Sequence, residues 1–183
     1  MASHQEYAQQ PIEKVLDRLQ RTAEDLADAI RDQSDVVLSR RPGAGSWSAK
    51  EIICHLRDIE ELCILRYHAM LSMDEPRLFV VGVTATDPER WGIIGGVPYP
   101  VDADRWAEER QYLRNDTATA LGAFRRRRDE VLTLLQTLTA EQWQRRGLAP
   151  VLGRVPLSRF VFGSAAHDDT HLDQLRLALD ERA

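Results

Sequence analysis

The sequence predicts an all-α fold, a four-helix bundle with a long crossover between the second and third helices. Three observations carry that expectation. Apolar residues recur at steps of three and four in four long runs, the period of helices with one buried face. Ser48-Ala49-Lys50-Glu51 fits a capping box, in which the serine hydroxyl and the glutamate carboxylate satisfy backbone N–H groups at a helix start. Residues 73–101 then break the period with Pro76, Pro88, Pro98 and Pro100 and with Gly82, Gly92, Gly95 and Gly96. A connection of that length lets the second and third helices run in the same direction, which a short loop forbids.

Taken in order, residues 1–10 are polar and are expected to form a flexible tail that includes His4. Pro11 suits a first helical turn, and Ile12, Val15, Leu16, Leu19, Leu26 and Ile30 make an amphipathic first helix to about residue 32. Arg41-Pro42-Gly43-Ala44-Gly45 is a turn, and Trp47 is placed to staple the second helix onto the bundle. That helix carries the core line Ile52, Leu56, Ile59, Leu62, Cys63 and Arg66, with His55 on its inward edge and His68 well around the helix from it. In the crossover, Phe79-Val80-Val81 is expected to pack on the bundle, and Asp102 to about Leu113 reads as a short helix with Trp106 inward. The third helix starts at Asp116 or Thr117 and buries Leu121, Phe124, Arg128, Val131, Leu135 and Leu138. Arg128 on a core line calls for an inward acid, with substrate binding as the alternative. Gly147 to Gly153 is expected to be a loop leading to Pro156, which opens the fourth helix.

On the fourth helix, Leu157, Phe160, Val161, Ser164, His167, His171, Leu175 and Ala178 follow one face. Histidines four apart lie one above the other, so both rings can reach one ion. They share the face that buries Leu157, Phe160 and Leu175, and buried imidazoles need partners: neighbouring side chains or a metal. Gly163-Ser164-Ala165-Ala166 leaves space beside them. The helical metalloprotease pattern does not apply, because Asp168 stands where that motif needs glutamate and no histidine follows His171. A third ligand must come from upstream, and His55 is the one inward candidate.

Composition narrows the function. The chain has 183 residues, 43% of them hydrophobic, enough for one domain with a core of its own, 1–183. Its net charge of −5 argues against nucleic acid and anionic membrane surfaces as partners. Arg125 to Arg128 do not change this, since four consecutive helical positions spread around the helix. No apolar run reaches the length of a membrane span, and the N-terminus has no apolar signal segment. Cys54 and Cys63, on opposite faces of one helix and about 13.5 Å apart along it, cannot bridge. That usage suits a reducing, cytoplasmic setting.

The order and spacing of Trp47-Ser48-x-x-Glu51-x-x-x-His55-Leu56-x-Asp58, Phe124-x-x-x-Arg128, Leu138-Thr139-x-Glu141-x-Trp143 and Ala166-His167-Asp168-x-x-His171-Leu172-x-Gln174 resemble the DinB/YfiT family, over about residues 12–180. The resemblance implies a four-helix bundle with a long crossover, often dimeric, and a divalent metal held by the residues at His55, His167 and His171. It also implies an enzyme that transfers a low-molecular-weight thiol such as bacillithiol or mycothiol in stress or detoxification. Three imidazoles leave a coordination position open, where a cation would favour thiolate over thiol or activate water. The expected activity is therefore thiol S-transfer on a small-molecule substrate; the alternatives are metal-dependent hydrolysis and a non-catalytic metal- or ligand-binding bundle. Zinc, nickel, iron and manganese all suit the ligands. Asp58, Glu51 and Gln174 lie three or four residues from a ligand position and are candidates to accept a second ring N–H, with Asp58 also a candidate fourth ligand.

Overall fold

The computed structural model describes residues 4–78, 102–149 and 152–180. Its elements are α1 (His4–Ala8), α2 (Ile12–Ala29), α3 (Asp35–Ser39), α4 (Ala49–Ser72), α5 (Ala103–Glu109), a 3₁₀ turn (Tyr112–Arg114), α6 (Thr117–Gln136), α7 (Ala140–Trp143), β1 (Arg146–Ala149), β2 (Gly153–Pro156) and α8 (Leu157–Leu179). Helix starts follow side-chain chemistry. Ser48 Oγ accepts from Glu51 N while Glu51 Oε2 accepts from Ser48 N, closing the capping box of α4. Asp116 caps α6, and Thr139 with Gln142 boxes α7. None of the helices among the described residues is long and apolar enough to cross a membrane.

The bundle is α2, α4, α6 and α8, and its core has two layers. One joins the N-terminal halves of α4 (Ile52, Ile53, Leu56) and α6 (Ala120, Leu121, Phe124) to the C-terminal halves of α2 (Ala23, Leu26) and α8 (Leu172, Leu175). The other joins the opposite halves, with Val15, Leu19, Leu62, Tyr67, Val131, Leu135, Leu157 and Val161. The order is therefore up-down-down-up. Helices α4 and α6, the second and third bundle helices, run parallel, as the long crossover requires. Residues 79–101 of the crossover, with Phe79-Val80-Val81, lie outside the described residues.

Two expectations are corrected. Residues 4–8, placed in a flexible tail, form α1 against α8. Tyr7 is buried and its hydroxyl donates to Asp169 Oδ2 (2.7 Å), so a residue that looked like tail anchors the start of the chain. The loop expected from Gly147 to Gly153 contributes to an antiparallel hairpin, Arg146 opposite Pro156 and Ala149 opposite Gly153. Its strands are four residues each and too short to show alternation; they hold by tertiary bonds, Leu78 N to Leu148 O and Leu148 N to Pro76 O (both 2.8 Å). Gly147 packs tightly there: a Cβ would sit 2.9 Å from Leu78 Cγ, and closer still to Cδ1, with Met70 Cγ at 3.3 Å, so the Leu78 side chain would have to shift. Gly147→Ala should lower stability by about 1–3 kcal/mol through overpacking, read as a shift in the urea midpoint at unchanged slope. Full stability in that variant would show the hairpin to be free to move off Leu78.

Candidate metal centre

The cap that starts α4 also sets the rotation of its first two turns. Glu51 is 1% exposed, held by Ser48 and by both ends of the Arg41 guanidinium fork. One turn later His55 points into the bundle, 2% exposed. From α8, His167 and His171 reach the same point. His55 Nε2 lies 3.2 Å from His167 Nε2, which lies 3.0 Å from His171 Nε2. One ring nitrogen from each residue falls within 4.8 Å of the others, an arrangement that could hold a metal ion.

The donor set fits a divalent cation. Three ring nitrogens from two helices converge there, two of their separations being 3.0 and 3.2 Å, and imidazole nitrogen is a common ligand of such ions. Neutral imidazoles are the required form, and burial first, then the neighbouring rings, pushes His55 down to about 2. Burial first, then the charge at His171, pushes His167 down to about 3, and burial lowers His171. Gln174 fixes one tautomer: His171 Nδ1 donates to its Oε1 (2.6 Å), which leaves the Nε2 lone pair aimed at the centre. Among the described residues, Nδ1 of His55 and of His167 has no hydrogen-bond partner.

These depressions make an acid-sensitive protein once metal is stripped. Between an unfolded value of 6.5 and the lowered folded values, the unfolded chain binds protons that the folded chain refuses, so stability rises with pH across that window. It should be fully present above about pH 6.5 and fall as the pH drops toward about 3, each histidine contributing at most about 1.4 kcal/mol per pH unit. Urea midpoints at pH 7 and pH 5 with chelator present measure this, and the slope should be shallower in His167→Ala.

The other candidates stand apart. Asp58 accepts from Arg57 Nε (2.7 Å) and the Tyr112 hydroxyl (2.8 Å) and pairs with Arg110 Nη1 (2.9 Å), so it faces α5 and the 3₁₀ turn and offers the imidazoles nothing. Its carboxyl is held down by those bonds against the burial that would raise it. Glu51 is consumed by the cap and Arg41. Arg128, 2% exposed, meets Asp168 and Glu60 and not the cluster. Cys54 and Cys63 are buried thiols raised by burial, Cys54 to about 11.

Trp47 was missed as part of the site. Its ring lies 4.7 Å from His55 and stacks on His171 at 6.1 Å and 11°, while its Nε1 donates to Asp104 Oδ1 (2.9 Å). The available signal was its place one residue before the cap, where an apolar side chain folds back over the first turn. Among the described residues, clefts flank the cluster on two sides along α8. One, about 370 Å³, reaches His171 past Trp47, Asp104 and Gln174. The other, about 220 Å³, reaches His167 past Ile59, Phe160 and Ser164.

An up-down-down-up bundle with three converging imidazoles, one from its second helix and two from its fourth, defines a class of helical proteins equipped for a metal. The chain belongs to the DinB superfamily, whose profile it matches over residues 18–175. It is 22% identical over 158 residues, 86% of its length and 79% of the relative's, to an Oceanobacillus iheyensis protein named as a proposed metal-dependent hydrolase. Its fold is similar to YfiT of Bacillus subtilis, put forward as a metal-dependent hydrolase with an unusual four-helix bundle topology (TM-score 0.75, 18% identity, 97% of this chain and 88% of that one). It is also similar to the mycothiol-dependent maleylpyruvate isomerase (TM-score 0.62, 12% identity), covering 96% of this chain and 63% of that longer one.

Proposed function

We propose that His55, His167 and His171 hold one divalent cation and that the protein joins a low-molecular-weight thiol to a small electrophile beside it. The observation that carries this reading is the pair of clefts meeting the imidazoles from opposite directions along α8. A transferase needs two organic substrates at one point, and hydrolysis needs one. The cation supplies positive charge that favours thiolate over thiol, and would equally lower the pKa of water. The chain's own residues do the rest. Gln174 keeps the His171 ring oriented, Trp47 packs against the His55 and His171 rings at the wall of the first cleft, and Gly163 and Ser164 keep the approach to His167 open. The thiol proton passes to solvent and a C–S bond forms as the sulfur attacks carbon. The carbon–halogen bond of an aryl halide breaks with its electron pair leaving as halide; with an epoxide, the opened oxygen takes a proton from water.

A second reading, metal-dependent hydrolysis, draws support from the naming of the two relatives above. The test supplies metal-loaded protein with bacillithiol, mycothiol, glutathione or cysteine, each with an aryl halide or an epoxide. Conjugation above the uncatalysed rate with at least one thiol, lost in His167→Ala, supports transfer. Metal-dependent cleavage of a model ester or amide without thiol use moves the assignment to hydrolysis. If neither occurs across zinc, nickel, iron and manganese, the bundle is a binding module.

A further inference from the structure

We propose that the cleft beside His167 takes its substrate as an organic carboxylate, with the charge on Arg159 and the apolar body against Ile59 and Phe160; this rests on the reading of the histidines as the reacting centre. The chain as a whole is acidic, at −5, yet among the described residues this cleft is lined by two arginines and by no aspartate or glutamate. The cleft on the His171 side has a different lining, with Asp104 and, among the described residues, no arginine or lysine. Such a local reversal of sign concentrates anions at one mouth and repels them at the other.

The geometry matches an amphipathic anion. Ile59 and Cys63 on α4 are buried and make an apolar floor with Phe160 of α8. Arg66 lies with its Cζ 5.7 Å from the Phe160 ring centroid, so its guanidinium stands at the wall of the cleft. Arg159 precedes Phe160 and lines the same space. Guanidinium forks receive carboxylates through two parallel N–H···O bonds, which fixes orientation as well as charge. His167 closes the cleft, so a molecule anchored by its carboxylate at Arg159 presents its other end to the imidazoles. At about 220 Å³ the space is below the usual range for drug-sized ligands and favours a small substrate.

Isothermal titration of the metal-loaded, full-length protein with phenylbutyrate and with its neutral isostere phenylbutyramide tests the proposal. The carboxylate should bind at least about tenfold more tightly than the amide, and Arg159→Gln should abolish that preference. Arg159→Lys should restore part of it. Circular dichroism establishes that each variant is folded. Equal affinities for acid and amide, no binding of either, or an unchanged preference in Arg159→Gln would overturn it. The same titration in His55→Ala separates the two readings. Carboxylate binding lost there but kept in Arg159→Gln places the anion on the cation, which removes this proposal and leaves the metal centre standing. Arg159-dependent binding in wild-type protein that holds no metal by elemental analysis keeps the anion site and removes the metal reading.

Discussion

Arg128→Met is expected to destabilise the metal-stripped protein by about 3–5 kcal/mol, the range for removing one partner from a buried charge cluster. Arg128 sits on α6 and ties down the other three bundle helices. Nη1 donates to Leu19 O of α2 (2.8 Å) and to Asp168 Oδ2 of α8 (2.7 Å), and Nη2 donates to Glu60 Oε1 of α4 (2.8 Å) and to Asp168 Oδ1 (3.2 Å). Thr22 adds a bond to Asp168 Oδ2 (2.6 Å). One cation faces two carboxylates, and they do not share it equally. Burial would raise Asp168, but the charge and bidentate bonds of Arg128 hold it below the usual carboxylate range. Burial dominates at Glu60, whose carboxyl is raised and whose Oε2 has no hydrogen-bond partner among the described residues. Methionine fills much of the arginine stem's volume but strands the Asp168 carboxylate. Urea unfolding measures the loss, and adding Asp168→Asn with Glu60→Gln should recover part of it, since the damage is unpaired charge. A loss below about 1 kcal/mol, the value of an exposed pair, would mean that water reaches the cluster in solution.

His167→Ala should reduce metal affinity by on the order of 100-fold or more, beyond the 10–100-fold typical of losing a residue that only orients a ligand. His167 is the ring within 3.2 Å of both others, so its removal leaves His55 and His171 without the nitrogen between them. Elemental analysis after gel filtration should find about one ion per chain in the wild type and little in the variant, with helix content retained. His55→Ala tests the contribution of α4 separately. Full occupancy in that variant would place the ion on α8 alone, and full occupancy in His167→Ala would remove the site.

Much of this was legible in the sequence because helices write their burial at a fixed period. The capping box at Ser48, the start of α6 at Asp116 and the inward faces of His55, His167 and His171 all follow from residue type and the 3.6-residue turn. What could not be read is what needs partners distant in the chain. Tyr7 makes α1 part of the fold only because Asp169 waits on α8, and β1 is a strand only because Gly153–Pro156 and Pro76–Leu78 lie beside it. Arg128 was readable as buried; that it joins all four bundle helices was not. Asp58 illustrates the opposite error, a spacing that suggested a role at the histidines when Tyr112 and two arginines take both carboxylate oxygens.

The separation of His55 from His167 along the chain, 112 residues, also orders events during synthesis. At about 5–20 residues per second, His55 leaves the ribosome roughly 6–22 s before His167 is made. Throughout that interval an unfinished chain offers only one of the three clustered imidazoles, where a protein site needs three or more ligands. α8 is the last long helix to emerge, and it brings two of the three rings together with Asp168, the partner Arg128 needs. If the three rings hold an ion as proposed, its choice would be deferred until the bundle has closed, when cleft shape and ring orientation, and not the first cation to meet the nascent chain, would decide which metal stays.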